Sequence, residues 1–213
     1  MLIIGCFLLG IFAIIIGSKI KPHNLREEET FMVNIDYTQL KNILKGILHK
    51  VYNEYTKEHG LKNICGFSLY SDLREMSISI NTYKNLENSI KKSEDILDCK
   101  FKIEKWEQKI EAADMESFNK KLLEYNSEMN KRRPINEVIE YENNIYKLSV
   151  EALAELRKEQ CFKELKDDFI LLVSVETYEI PNIVLEYNMK NNSKTIADEY
   201  YQWAFELNDM NNS

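Results

Sequence analysis

The stretch CGFSLYSDLREMSISIN, residues 65–81, alternates apolar and polar side chains on both sides of a short polar turn. Alternation with a period of two residues is typical of a β-strand that has one buried face. Two such runs, joined by the turn at 71–74, predict a β-hairpin. One face of this hairpin holds its apolar side chains, which are Cys65, Phe67, Leu69, Met76, Ile78 and Ile80.

The other face of the hairpin carries polar groups, which are Ser68, Tyr70, Ser77, Ser79 and Asn81. Antiparallel sheets commonly keep one face on the core and turn the other toward water, so a half-exposed sheet is one interpretation. The alternative is that these polar groups form a surface that contacts another protein. We therefore name them as the candidate partner-contact residues.

A long amphipathic helix precedes the hairpin. Asp36 and Gln39 form a capping box, and apolar residues follow at helical spacing until Gly60 ends the run. The opposite face of this helix is predicted to be solvated, and it carries Lys41, Lys45, His49, Lys50, Asn53 and Lys57.

Further helices are predicted after the hairpin. Either Asn81 or Thr82 can cap a short helix, and helical spacing returns around Phe118. A second long helix is predicted to begin after Pro134 and to end near Gln160.

The last part of the chain combines predicted strands with a closing helix. The continuous apolar run at 169–173 predicts a central strand that is covered on both faces. Pro181 then leads into a shorter strand at 183–187, and Ser193 caps a final helix. Together these elements predict an α+β fold, a single domain in which a mostly antiparallel sheet of about four strands packs with several helices.

Residues 1–31 form an apolar leader, the domain is expected to span 32–207, and 208–213 are expected to be a disordered tail. From Leu2 to Ile16 every residue is apolar or Gly. As a helix, this segment and the Gly-Ser pair after it measure about 25 Å, a little short of the roughly 30 Å hydrocarbon core. Because basic residues follow the segment and none precedes it, the positive-inside rule predicts a membrane anchor with the domain facing the cytoplasm.

Two other interpretations of the leader stay open. A cleaved signal peptide normally has a basic region before its apolar segment, and that region is missing. A start at Met32 is supported by the run REEE at 26–29, whose simplest back-translation is purine-rich and resembles a ribosome-binding site. With that start, we expect a soluble cytoplasmic protein.

The chain lacks the residues that several classes of functional site require. No glycine follows Gly66, which argues against the glycine-rich loops that cradle nucleotide phosphates. His49 and His59 lie about 15 Å apart along one predicted helix, too far to share a metal, and no histidine follows them. Cys65 falls on the apolar face of its strand. The sequence therefore predicts no catalytic, metal-binding or cofactor-binding residue and no cofactor.

The body of the chain is acidic. The three basic and three acidic residues of the leader balance, so the net charge of -7 lies on the rest of the chain. A nucleic-acid binder normally gathers a positive surface, and we interpret the compact basic run KRR at 131–133 as a solvated loop. We therefore expect no nucleic-acid partner, whereas a basic protein is a partner that an acidic surface suits.

Four segments of the chain resemble an uncharacterised bacterial domain family. They are FSLYSD at 67–72, Asn81 with Thr82, Trp106, and LLVSV at 171–175. The resemblance covers roughly residues 35–207, and the acidic residue expected soon after the last segment is present only as Glu176. It implies an α+β domain of about 200 residues with no established activity, so it carries over no functional residue.

These observations predict a non-enzymatic interaction protein, and the acidic body fits an immunity-type neutraliser of a basic partner. The first alternative is an enzyme with a cleft lined by carboxylates and tyrosines. The second alternative is a membrane-tethered scaffold, which depends on the leader.

Overall fold

The computed structural model describes residues 34–92, 95–110, 112–131, 133–159, 162, 166–175 and 180–211. Ile35–Ser213 form one unit. In the described part of the chain, no helix is both long enough and apolar enough to cross a membrane. The leader, including the segment from Leu2 to Ile16, lies outside the described residues, so the membrane anchor stays a prediction.

The described residues form seven α-helices and a four-stranded sheet. The helices are α1 (Tyr37–His59), α2 (Tyr83–Lys91), α3 (Ile96–Phe101), α4 (Ala113–Met129), α5 (Ile135–Arg157), α6 (Asn182–Lys190) and α7 (Lys194–Asn211). The strands are β1 (Ile64–Ser71), β2 (Met76–Thr82), β3 (Gln108–Ile110) and β4 (Ile170–Val175). Short 3₁₀ helices lie at Leu61–Asn63 and Ile103–Lys105.

Helix α1 begins and ends where its sequence predicts. The Asp36 carboxylate caps the N-terminus, since it accepts a hydrogen bond from the backbone N–H of Gln39 at 2.8 Å. Gly60 follows the last turn with a φ of 81°, a left-handed conformation that glycine adopts without a steric penalty. The buried face of the helix consists of Leu40, Leu44, Ile47, Leu48, Val51, Tyr52 and Tyr55.

The strands form one sheet in the order β3-β2-β1-β4. The hairpin β1–β2 is antiparallel, as predicted, and its register pairs Phe67 with Ile80. Strand β3 lies antiparallel to β2. Strand β4 instead runs parallel to β1, which the long connection through several helices permits. The predicted α+β class with a mostly antiparallel sheet of about four strands is therefore confirmed, with one parallel pairing.

Both faces of the sheet are covered, so the half-exposed sheet that alternation suggested is wrong. On one face, the ring of Phe67 lies 5.6 Å from the ring of Tyr52 on α1, centroid to centroid. On the other face, the indole of Trp106 lies over Gly66, where a Cβ would come within 2.9 Å of the ring. Small polar residues on a strand do not by themselves show that its face is exposed to solvent, because helices can cover them.

The predicted solvated face of α1 is in part a contact between helices. Lys41 binds Glu151 and Glu155 on α5 at 3.3 and 2.9 Å, measured from Nζ to the carboxylate oxygens. The same ladder continues with Lys45, which contacts Glu155 at 3.5 Å, and it includes His49 and Glu159. Ion pairs between α1 and α5 therefore line the surface seam between the two long helices.

Strand β4 lies at an edge of the sheet, whereas its apolar run predicted a central strand. Its residues from Ile170 to Val173 are all buried, because helices cover both of its faces. A continuous apolar run reports burial of both faces and gives no information on the number of strand neighbours.

The short strand predicted at 183–187 is wrong, since these residues belong to helix α6. Val184, Tyr187 and Asn188 are the buried side chains of α6, and they lie three and four residues apart, which is helical spacing. Pro181 precedes the first turn, a position that suits its fixed φ. An apolar run of this length fits either type of element from sequence alone.

The closing helix α7 is capped as predicted. The Ser193 hydroxyl accepts from the backbone N–H of Ile196 at 3.4 Å. The helix continues to Asn211, so it passes Asn208, where the tail was expected to begin. Residues 212 and 213 lie outside the described residues.

Candidate functional site

A groove of about 600 Å³ lies between the second half of α1 and the chain that joins β3 to α4. Its walls combine charged groups with small and apolar side chains. The lining residues are Lys50, Val51, Glu54, Tyr55, Glu58, His59, Ile110, Ala112, Ala113 and Asp114. We call it the acidic groove, because three of these residues are carboxylates and one is a lysine.

Helical spacing places the α1 residues of the acidic groove. Lys50, Glu54 and Glu58 recur every four residues, so they form one exposed stripe along the helix. Val51 and Tyr55 are buried and lie beside that stripe, where they supply an apolar base. The stripe therefore presents charge above an apolar surface.

The opposite wall comes from the end of β3 and the beginning of α4. Asp114 is in the first turn of α4, where a carboxylate is favoured by the partial positive charge of a helix N-terminus. Its carboxylate binds the Lys50 ammonium at 2.7 Å. This ion pair crosses from α4 to α1 on the exposed surface.

The remaining carboxylates leave the acidic groove negative. Within the part of the chain that the structure describes, Glu54 has no ion-pair partner within 4.0 Å. Glu58 lies 3.8 Å from the imidazole of His59, which pairs with it only when protonated. The ring of His59 lies 4.3 Å from the ring of Tyr55. Once Lys50 and Asp114 are paired, the groove therefore presents two carboxylates to solvent.

The titratable groups that shift in this groove retain their protons. The hydrogen bond to Asp114 raises the pKa of the Lys50 ammonium. Burial raises the pKa of the Tyr55 phenol, and the charges of Glu107 and Glu58 raise it further. Both groups are hydrogen-bond donors at neutral pH, and neither is prepared to act as a base.

A second groove of about 320 Å³ continues along α1 from the first. Its lining residues are Ile43, Gly46, Ile47, Asp114, Ser117, Phe118 and Lys121. We call it the apolar groove. Asp114 lines both grooves, so they lie next to each other along α1.

The five residues named as partner contacts from the sequence lie elsewhere. Ser68, Ser77, Ser79 and Asn81 are buried, and Tyr70 is half-buried. Asn81 serves the fold, because its side-chain oxygen accepts from the backbone N–H of Thr82 at 3.0 Å and from Asn85 at 2.9 Å. A partner-contact role for the five stays a prediction, and a partner would have to reach side chains that the fold covers.

A separate polar cluster lies near the start of β4. The Tyr83 hydroxyl donates to the Asp168 carboxylate at 2.7 Å, and Lys166 lies 4.4 Å from the centre of the Tyr83 ring. Burial raises the pKa of Tyr83 and, with the charge of Asp168, raises the pKa of the Cys65 thiol to about 12. Cys65 is therefore a buried thiol that keeps its proton, as its strand position predicts.

Among the described residues, no group of three or more His, Cys, Asp or Glu side chains is arranged to hold a metal ion. The acidic groove could not be predicted from the sequence, because its two walls lie far apart in the chain. The stripe of Lys50, Glu54 and Glu58 was the available signal. It is also what an ordinary solvated helix face presents.

A family model described as a domain of unknown function, DUF4303, matches residues 44–204. The chain belongs to the DUF4303 family. The resemblance to an uncharacterised domain family of about 200 residues is thereby confirmed. The matched DUF4303 region contains all four strands and both grooves except Ile43. No curated protein and no solved structure matched the chain in the corresponding comparisons.

Proposed function

We propose that this DUF4303 protein is a non-enzymatic interaction protein that binds and neutralises a basic protein, as an immunity protein does for a toxin. The acidic groove carries the proposal. It offers two carboxylates, Glu54 and Glu58, that are exposed and acidic above an apolar base.

Such a groove suits the side chains of lysine and arginine. Their aliphatic stems can lie on Val51 and Ile110 while their charged heads reach the carboxylates at the rim. The net charge of -7 adds a long-range field that attracts a basic protein and speeds the encounter. Local chemistry and overall charge therefore favour the same class of partner.

An enzyme that uses this carboxylate and tyrosine cleft is the second candidate, because Glu54, Glu58 and Tyr55 line one groove. Binding is favoured over catalysis because neither Tyr55 nor Lys50 is activated. The pKa of each is raised, whereas a tyrosine or lysine that acts as a nucleophile or general base needs a lowered pKa.

The proposal is tested with each basic protein that is encoded by a gene next to this one. The full chain and the neighbour are co-expressed, their complex is purified, and affinity is measured by titration calorimetry at several salt concentrations. Survival of cells that express the neighbour, with and without this protein, reports neutralisation.

A charge-matched pair of variants locates the surface. We expect Glu54→Gln/Glu58→Gln to weaken binding about tenfold or more, with a smaller salt dependence. Glu87→Gln/Glu186→Gln removes the same charge from exposed positions on α2 and α6, outside the grooves, and should bind nearly as the unchanged protein does. Equal losses of affinity in the two variants would mean that net charge alone, and not the acidic groove, determines binding. If the protein binds none of the neighbouring gene products, the proposal is overturned.

A membrane-tethered scaffold is the remaining alternative, and it rests on the leader. With the leader retained, we place the domain on the cytoplasmic face of a membrane. With a start at Met32, we place it free in the cytoplasm. The acidic groove serves an interaction protein in either location.

A further inference from the structure

Gly46 lies in the apolar groove, near the middle of α1, and the described residues give no reason for a glycine there. A glycine inside a helix is destabilising relative to alanine, because it loses more conformational freedom on folding. Its φ is not positive, unlike that of Gly60. A Cβ added to Gly46 would meet no atom within 4 Å. Neither the backbone conformation nor the packing of the described residues therefore requires a glycine at position 46.

The space above Gly46 belongs to a longer trough. The two grooves share Asp114, and their α1 residues extend from Ile43 to His59, which is about 24 Å of helix at 1.5 Å per residue. The other wall of the apolar groove is α4, through Ser117, Phe118 and Lys121. The trough is thus bounded by α1 along its length and by a second helix along part of it.

The chemistry of the trough changes along its length. At the end near Glu58 it is acidic, and around Ile43, Ile47 and Phe118 it is apolar. Lys121 adds a positive charge at the apolar end. A segment that fills it needs basic residues at the end near Glu58 and apolar residues at the other end, together with an acidic residue that can pair with Lys121.

We infer that the trough receives an amphipathic helix of the basic partner, which approaches α1 most closely at Gly46. The inference rests on the proposed function, because the basic end of that helix lies at Glu54 and Glu58. About four helical turns fit the length of the trough, and the distance between two packed helices decreases when the contacting side chain is small. The absent side chain at Gly46 is explained by this external contact.

The exposed ion pair between Lys50 and Asp114 does not block this arrangement. Their side chains are 56% and 53% exposed, and a pair this exposed contributes little to stability. A basic residue of the partner helix can replace Lys50 at Asp114 at small cost.

The test uses a phage-displayed library of random peptides, long enough for about four helical turns, selected on the immobilised full chain. Enriched peptides are synthesised, and their affinities are measured for the unchanged protein and for Gly46→Leu. Asn42→Leu is the matched control, because it adds the same side chain to an exposed position of α1 outside both grooves. Oligolysine serves as a probe that is basic and lacks an apolar stripe.

We expect enriched peptides with apolar residues at helical spacing and basic residues toward one end. The affinity of these peptides should fall at least tenfold in Gly46→Leu and stay within about twofold of the unchanged value in Asn42→Leu. The affinity of oligolysine for Gly46→Leu should also stay within about twofold of its value for the unchanged protein. The inference would be overturned if the enriched peptides lacked apolar residues at helical spacing, or if they bound Gly46→Leu as tightly as the unchanged protein. Either result would leave the proposed role of the acidic groove standing. If neither the peptides nor oligolysine depend on Glu54 and Glu58, the proposed function fails and the inference fails with it.

Discussion

Asn188 of α6 bonds to Val173 of β4 in the way that a neighbouring strand would. Its side-chain nitrogen donates to the Val173 carbonyl oxygen at 2.9 Å, and its side-chain oxygen accepts from the Val173 N–H at 2.9 Å. Asn192 forms the same pair with Leu171 at 2.7 and 2.8 Å. Two amides thus satisfy the outer edge of β4, which protects it from pairing with another chain.

Replacement of Asn188 by alanine should destabilise the protein by about 2–4 kcal/mol, because the Val173 N–H and carbonyl both lose their partner inside the fold. The Tyr200 hydroxyl, 2.9 Å from the Asn188 nitrogen, loses a partner as well. Urea unfolding monitored by circular dichroism measures the change. Asn143→Ala, at an exposed position of α5, is the matched control and should change stability by less than about 0.5 kcal/mol. Equal effects would show that the amide pairing at β4 is not needed.

Alanine substitutions at Gly46 and Gly66 should change the stability of the protein in opposite directions. Gly66→Ala should cost about 1–3 kcal/mol, because its Cβ would lie 2.9 Å from the buried ring of Trp106. Gly46→Ala should add about 0.5–1 kcal/mol, since the methyl group meets nothing within 4 Å and alanine favours the helix. Thermal unfolding of both variants compares the signs directly. A stabilised Gly66→Ala would contradict the close approach of Trp106.

The β1–β2 turn should make stability depend on pH in acid. Burial of Asp72 alone would raise its pKa, but hydrogen bonds from the backbone N–H groups of Glu75 and Arg74 and from the Arg74 side chain outweigh burial and lower it. A lowered folded pKa means that the contribution is present above the unfolded value near pH 4 and is lost as the pH falls through the folded value.

We therefore expect Asp72→Asn to reduce stability by about 1 kcal/mol at neutral pH and by progressively less below pH 4 or so. Urea unfolding of both proteins across this range gives the difference. A difference that does not change with pH would show that the charge of Asp72 is not involved.

The ladder between α1 and α5 should make a small contribution that depends on salt. Lys41 lowers the pKa of Glu155 through a hydrogen bond, which dominates over burial. Glu155→Gln should destabilise slightly at about 0.1 M salt, and the difference should shrink toward about 1 M, because the Debye length falls from about 10 Å to about 3 Å. Glu87→Gln, at an exposed position of α2, is the control. An effect that salt does not reduce would assign the contribution of Glu155 to packing.

The leader should be present in the protein that cells make. We expect the intact mass of the natively expressed protein to include residues 1–31 and the protein to sediment with membranes, since the run from Leu2 to Ile16 is strongly apolar. A version that starts at Met32 is the control for sedimentation. A native mass that begins at Met32 would remove the membrane proposal.

Local signals in the sequence predicted the elements that depend on neighbouring residues. The cap at Asp36, the stop at Gly60, the turn after Ser71 and the cap at Ser193 are all confirmed, because a cap or a turn is built from residues within a few positions. The strand predicted at 183–187 failed, since a short apolar run fits both periodicities.

Local sequence signals could not predict the candidate site. The acidic groove needs α1 to face Asp114 across a distance in the chain that no local pattern spans, and the polar face of the hairpin was interpreted as exposed because nothing local shows that Trp106 covers it. Side chains of the two faces alternate in the same way whether water or a helix lies above them.

The sequence by itself determined the α+β class, the helix caps, the hairpin and the acidic charge, because each follows from composition or from contacts close in the chain. Only the tertiary structure decided that β4 pairs parallel with β1 at an edge, that asparagine side chains complete that edge, and that both faces of the sheet are buried. It also decided where the carboxylates of α1 meet α4 to form a groove. Those features depend on contacts between distant segments, whose partners are selected by the packing of the whole core.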